Sequence, residues 1–552
     1  MSVETAVAPG RRVEQQPSGS GPLLWVSGTS THGTASTWLV ALAASVLFAI
    51  WRWPVLHQIP VWDGAMGMTP AAITLEALDF NVFVLLAMPN YAAGGPNAHA
   101  LSVFTWLVAG AIRLFGSYEA ALPFLHVLSF GLVGVLAAGV YRLLVGTTGR
   151  WALAVAAAAA ALLYPPLVVQ GSDVYLELPL AAAATWAMAL ALEGRWKTAV
   201  AALTAGALIK PTAIIVVPAL AAAHLLRSRD VRPLLALAVP TAVSVFPVFA
   251  DRAVKASTAA APSTVSRVTA ETLGYLEAMP VLLAVILAAA LLFVAGMRTK
   301  RLDPNGRSVL VATLVLVLSY LAFFCLNPLL TKGFAGIPRY TILFAPVLCA
   351  SVVLGAHALW ERRGGWAASG SLAAVFALNL YGGLEPENPG NIYPLAERSL
   401  AYEQLLGVQQ QAMARFEELA ARMPSVYDHY THYRVTYPGV GWTGQAPADG
   451  TAAWLSPGRP WANLENRPDR FVMLLDAPWL GGRELLTMWE RALESPDWDV
   501  SEERFEDGPF SNHVLVLSRR DGGQTRAPTG AQPGASRGRT AAAQGPASAQ
   551  RP

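Results

Sequence analysis

Uncharged apolar runs of membrane-spanning length recur along residues 36 to 383, and no other feature restricts the fold as tightly. A helix needs ~20 apolar residues to cross the hydrocarbon layer. Within that layer the backbone must satisfy its own hydrogen bonds, so such runs become helices. Composition follows from this. The chain is 54% hydrophobic and 14% charged, against ~25% charged in soluble domains. A net charge of +3 gives no footing for a nucleic-acid partner.

The charges collect between the runs, and their order predicts the topology. Arg11 and Arg12 precede a first span at 36–54. Later pairs of runs are joined by Arg142 and Arg150, by Arg195 and Lys197, by Arg227, Arg229 and Arg232, by Arg298, Lys300, Arg301 and Arg307, and by Arg362 and Arg363. Every second connection is therefore basic, and cytoplasmic loops carry such an excess. The pattern predicts about eleven transmembrane helices, with the N-terminus cytoplasmic and everything after residue 383 outside. Residues 98–116 are apolar enough for a helix, but counting them as a span would invert the later loops. They are read as a helix in or dipping into the outer leaflet.

The expected organisation has four parts. Residues 1–35 form a disordered cytoplasmic leader, with no apolar segment of the signal-peptide kind. Residues 36–383 form the membrane domain, whose first outer segment is 55–118. Residues 384–520 change character, with a helical pattern at 394–423, another at 484–495, and β-like runs at Arg434–Tyr437, Phe471–Leu475 and His513–Leu517. They read as a small extracytoplasmic α/β domain. Residues 521–552 hold no large aliphatic or aromatic side chain and read as a disordered tail. Cys325 and Cys349 lie inside apolar runs, which predicts packed helix residues rather than a disulfide.

This topology places a set of polar residues at the outer face. Asp63, in Pro60-Val61-Trp62-Asp63-Gly64, lies just past the first span, where a carboxylate can take a proton from an acceptor hydroxyl. It can equally be a turn residue, since Asp-Gly is a common turn. Asp173 is expected to cap a helix beginning at Val174. Two acids on one face can share a divalent cation or bracket a sugar. Lys210 ends a run of about 15 residues, ~22 Å of helix, which falls short of the ~30 Å hydrocarbon core. It is therefore expected below the outer surface, where a lysine is usually paired or functional. Lys210 and Arg339 can neutralise a phosphate, the arginine by a bidentate grip and the lysine as a point charge. His99 can assist, although a lone histidine on an apolar helix more often packs. The cluster Tyr427, Asp428, His429, Tyr430, His432, Tyr433 reads more readily as an aromatic-rich strand and turn than as a metal or sugar site.

Taken in order, these stretches resemble the GT-C superfamily of membrane glycosyltransferases, of the protein mannosyltransferase and lipid A aminoarabinose transferase type (glycosyltransferase family 39-like). The likeness rests on Asp63, on Arg113-Leu114-Phe115-Gly116-Ser117-Tyr118-Glu119, and on Ser172-Asp173 leading into Leu178-Pro179-Leu180. It rests also on Ala207-Leu208-Ile209-Lys210-Pro211-Thr212 and on Pro338-Arg339-Tyr340 running to Pro346. The resemblance implies transfer of a hexosyl or pentosyl group from a polyprenyl-phosphate sugar donor to a lipid, glycan or protein acceptor. It implies Asp63 as the catalytic base or acceptor-aligning carboxylate and Asp173 as a carboxylate supporting the same catalytic site, with Lys210, Arg339 and His99 holding the donor phosphate. A bacterial-type inner (cell) membrane is the implied location, with membrane lipids as neighbours and a divalent cation as the one conceivable cofactor. The chain departs from the pattern at Gly64, where many members have a second acid, and at Ala100-Leu101, where many have Pro-Pro after the histidine. A membrane transporter or flippase is the alternative. It is disfavoured because the sequence shows no internal repeat and its outer charges gather at one face.

Overall fold

The computed structural model describes residues 31–59, 67–87, 99–228, 230–254, 304–330, 338–363, 402–427, 453–454, 469–475, 492–508 and 510–520, with a few isolated positions besides. The leader, the tail, Asp63, the run at Arg434–Tyr437 and most of the apolar stretches at 278–297 and 366–383 lie outside the described residues. So do all members of the aromatic cluster after Tyr427.

The described part is mostly helical, as the apolar runs require. Helices α1 (Thr31–Arg52), α2 (Thr69–Ala77), α3 (Val82–Ala87), α4 (Val103–Phe115) and α5 (Tyr118–Thr148) come first. Then follow α6 (Trp151–Leu162), α7 (Pro165–Ser172), α8 (Glu177–Leu192), α9 (Trp196–Ile209), α10 (Val217–Arg227) and α11 (Ala238–Val254). Helices α12 (Pro304–Leu330) and α13 (Ala345–Arg363) complete the apolar set. Among the described residues three helical segments are long and apolar enough to cross a bilayer: Thr34–Val55, Tyr118–Thr148 and Pro304–Phe323. Shorter apolar helices pack around them, and together they make a multi-pass membrane protein. Helix α5 is the hub, with α1, α6 and α8 against it. The largest buried cluster runs through these helices and into α9, α10, α12 and α13.

Residues 150–171 form an apolar run long enough in sequence for one span, but it is not one straight helix. It breaks between α6 and α7 with a 70° bend. Pro165 and Pro166 explain the break. The residue before a proline is driven out of the helical region, and Tyr164 adopts φ −66°, ψ 118°. A second expectation is also corrected. Asp173 does not cap a helix starting at Val174, because α8 starts at Glu177 behind Leu176. Residues 173–176 form a buried link between α7 and α8.

Helix α4 falls within the expected outer helix 98–116, and its end follows local rules. Gly116 takes φ 86°, a left-handed conformation that glycine adopts without a Cβ clash. Ser117 then caps α5 by accepting a hydrogen bond from the Ala120 amide at 3.1 Å. On its other side α4 is tied to α2. Arg113 pairs with Glu76 at 3.1 Å and with Asp79 at 2.9 Å, so these two acids are spent on a helix–helix link.

At the C-terminal end, helix α14 (Tyr402–Ala420) covers a five-stranded mixed sheet. Its strands are β1 (Ser425–Tyr427), β2 (Ala453–Trp454), β3 (Arg470–Leu475), β4 (Trp498–Asp507) and β5 (Phe510–Arg519), in the order β2-β1-β3-β5-β4. Strand β1 pairs in parallel with β2 and β3, whereas β5 pairs antiparallel with β3 and β4. Strands β3 and β5 contain the β-like runs expected at 471–475 and 513–517, and α14 lies within the expected helix 394–423.

Candidate active site

Two turns that begin at prolines bring the cations together. Pro211 forces Lys210 into an extended conformation (φ −151°, ψ 135°), which ends α9 and starts the 3-10 turn Pro211–Val216. Pro338 opens a second 3-10 turn, Pro338–Leu343, which carries Arg339 and Tyr340. Both cations are buried, Lys210 at 8% exposed and Arg339 at 3%.

They meet at a carboxylate to which the sequence reading gave no role. Glu177, in the first turn of α8, is 3% exposed. Its Oε1 accepts from Lys210 Nζ in a close ion pair and lies 3.4 Å from Arg339 Nε. Burying charges is costly, and the cost is offset only where opposite charges meet in good geometry. Glu177 thus stands between the two cations as their shared counter-charge.

Two tyrosines wall this cluster. Lys210 Nζ lies 4.6 Å from the ring centre of Tyr340 and 5.3 Å from that of Tyr175. Arg339 Cζ lies 5.1 Å and 5.4 Å from the same two rings. Each ring presents its negative face to both cations, which holds them without consuming their charge. Beside the cluster lies a narrow crevice lined by Glu177, Leu180, Thr212, Ile215 and Tyr340 among others. The Oε2 atom of Glu177 is buried with no hydrogen-bond partner among the described residues.

The other expected site residues fall at different distances from this centre. His99 is half-buried and reaches the cluster through Tyr175, its Nε2 lying 3.2 Å from the tyrosine hydroxyl. The two rings meet edge to face at 5.9 Å. Asp173 starts the link that carries Tyr175. One of its carboxylate oxygens accepts from the Val174 amide at 2.8 Å, and its carbonyl accepts from Ser129 Oγ at 3.2 Å. Asp63 lies outside the described residues. The structure thus brings Lys210, Arg339 and His99 onto one neighbourhood and adds Glu177, Tyr175 and Tyr340. Among the described residues no group of three or more His, Cys, Asp or Glu is gathered as metal ligands.

Packing fixes the link from two sides. Val174, Tyr175 and Leu176 belong to the buried cluster formed by Met68, Leu75, Phe104, Tyr118 and their neighbours from α2, α4 and α5. Gly171, at the end of α7, lies against Val133 of α5 and Phe48 of α1.

No family model matches this chain, and no curated protein matches it significantly in sequence. Among solved structures it is similar to ArnT from Cupriavidus metallidurans bound to undecaprenyl phosphate. The two are 14% identical, with a TM-score of 0.46, over 88% of this chain and 98% of that one. It is similar also to ArnT from the same organism in the apo state, at 14% identity and a TM-score of 0.45, over 87% of this chain and 98% of that one.

Proposed function

We propose that the chain is an integral-membrane glycosyltransferase working at the extracytoplasmic face. It moves a hexosyl or pentosyl group from a polyprenyl-phosphate donor to a lipid, glycan or protein acceptor. The observation that carries this reading is the convergence of Lys210 and Arg339 on Glu177 between the faces of Tyr175 and Tyr340. Two buried cations walled by aromatic rings suit the single negative charge of a phosphodiester.

In the proposed reaction the acceptor hydroxyl oxygen bonds to the anomeric carbon of the sugar. The bond from that carbon to the phosphate oxygen breaks, and its electron pair stays on the phosphate. Lys210 and Arg339 hold the phosphate and stabilise the charge it gains, which is where preorganised cations lower a barrier. Asp63 takes the proton from the acceptor, and Asp173 supports the same face. Attack from the side opposite the phosphate inverts the anomeric configuration. The remainder of the topology belongs to this proposal: about eleven spans, a cytoplasmic N-terminus, a membrane domain over 36–383 and an outer domain over 384–520, in a bacterial-type cell membrane.

The test compares sugar transfer from a panel of polyprenyl-phosphate sugars in membranes carrying wild type, Asp63→Asn and Lys210→Ala. Wild type should transfer at least one sugar, and both variants should be severely impaired at equal protein levels. Absence of transfer by wild type with every donor would overturn the enzyme reading. Folded variants transferring at the wild-type rate would overturn the residue assignment.

A further inference from the structure

Arg52 is the last residue of α1, and it is buried, at 5% exposed, at the outer end of the first span. One guanidinium there makes two connections. Its Nε donates to Ser172 Oγ at 2.7 Å, and its Nη2 forms a close ion pair with Glu403. Ser172 is the last residue of α7 and in turn donates to the Val168 carbonyl at 2.9 Å. Glu403 is the second residue of α14, the helix of the extracytoplasmic domain. The three groups join elements far apart in sequence, 120 residues between Arg52 and Ser172 and 351 between Arg52 and Glu403.

Apolar packing runs in parallel with the polar link. Ile59, just past α1, and Val169 of α7 are each 4% exposed. Both belong to the same buried cluster as Leu405, Phe416, Val472 and Phe510, which is the core of the extracytoplasmic domain. That core therefore closes over the outer end of α7. The next residues along the chain are Asp173, Tyr175 and Glu177, so the docked domain and the cation cluster are separated by a single short link.

We propose that the extracytoplasmic domain is a working part of the membrane site, and that Arg52 is the positioning residue which transmits its docking. Glu403 holds Arg52, Arg52 holds Ser172, and Ser172 fixes where the Asp173–Glu177 link begins. A buried guanidinium needs its partners. Loss of Glu403 therefore frees Arg52 to turn outward toward water and releases Ser172. The consequence for catalysis rests on the reading of the site given above, whereas the structural coupling does not.

Hydrogen exchange of the full-length protein in lipid nanodiscs tests the coupling without any substrate. Glu403 is 38% exposed on its side chain, so Glu403→Ala should fold. Exchange across residues 165–176 should rise about tenfold in Glu403→Ala, as local opening becomes easier, with α5 unchanged. Arg52→Lys should behave similarly, because one ammonium on a shorter stem cannot span both partners. Glu403→Gln, which keeps an acceptor but not the charge, should fall between. Unchanged exchange at 165–176 in both Glu403→Ala and Arg52→Lys would overturn the proposal. If wild type transfers sugar, Glu403→Ala should lower kcat while leaving the donor KM within about threefold. An unchanged kcat beside raised exchange would overturn the catalytic half alone. If wild type transfers no sugar, the exchange result still decides the coupling.

Discussion

Tyr164 and Thr341 share a hydrogen bond of 2.5 Å across 177 residues of sequence. Tyr164 is the extended residue at the break between α6 and α7, and Thr341 belongs to the 3-10 turn that carries Arg339. Both are buried. The bond therefore fastens the bend between α6 and α7 to the turn that presents one of the two cations.

Tyr164→Phe removes the hydroxyl and keeps the ring. Hydrogen bonds between helices in a bilayer contribute about 1 kcal/mol, so the variant should unfold at slightly lower temperature and still fold. Its larger effect should fall on Arg339, with weaker binding of a polyprenyl phosphate in a lipid-binding assay. Binding equal to wild type would show that the turn holds Arg339 without this bond.

Gly171→Ala tests the packing of α7. A Cβ at this position would lie 2.7 Å from Val133 Cγ2 and 2.8 Å from the Phe48 ring, closer than such atoms approach. Both neighbours are core side chains of long helices, so α7 must shift instead. Overpacking of this kind costs about 1–3 kcal/mol. The expected result is a lower thermal midpoint in detergent, together with raised hydrogen exchange at residues 165–176. A variant as stable as wild type would mean that α7 moves freely against α1 and α5.

The legible parts of the fold were those fixed by neighbours in sequence. Pro211 dictates that Lys210 ends a helix, and Gly116 with Ser117 dictates how α4 gives way to α5. Strand β5 announces itself by the apolar run Val514 to Leu517. Strand β4 does not, because Asp499, Glu502, Glu503, Arg504 and Glu506 make it a charged edge with little apolar alternation. The break at Tyr164 had its signal in Pro165-Pro166, inside a run apolar enough to pass as one span. Within the site, Lys210 and Arg339 were legible as cations in apolar surroundings. Glu177 was not, since its partners lie 33 and 162 residues further along the chain. The pairing of Arg52 with Glu403 has no local signature at all.

Glu417 gives a pH dependence to the C-terminal α/β unit. It lies on α14, and its Oε1 is buried with no hydrogen-bond partner among the described residues. Burial disfavours the charged form and pushes its carboxyl up to about 7, from an ordinary value of 4.5. A carboxyl raised in the folded state favours folding while protonated. Its contribution is fully present below about pH 4.5 and is lost as pH rises through about 7. Thermal unfolding of the full-length protein should therefore show stability falling across this window, and Glu417→Gln should flatten the fall. An identical pH profile in the variant would remove Glu417 as its source.

The cation cluster supplies the sharpest test of the site. Charged hydrogen bonds contribute about 1.5–3 kcal/mol, so Lys210→Ala should weaken polyprenyl-phosphate binding by roughly 10- to 100-fold. Glu177→Gln acts in the opposite sense. It leaves Lys210 and Arg339 facing each other without their shared counter-charge, and breaking a buried pair costs about 3–5 kcal/mol. The unliganded variant should therefore unfold well below wild type. A bound phosphate would restore the missing negative charge, so added polyprenyl phosphate should raise the thermal midpoint of Glu177→Gln more than that of wild type. Binding to the native state stabilises in proportion to affinity, and the variant no longer has Glu177 competing for Lys210. Equal stabilisation of the two proteins by the lipid would mean that the phosphate does not take the place Glu177 holds beside the cations.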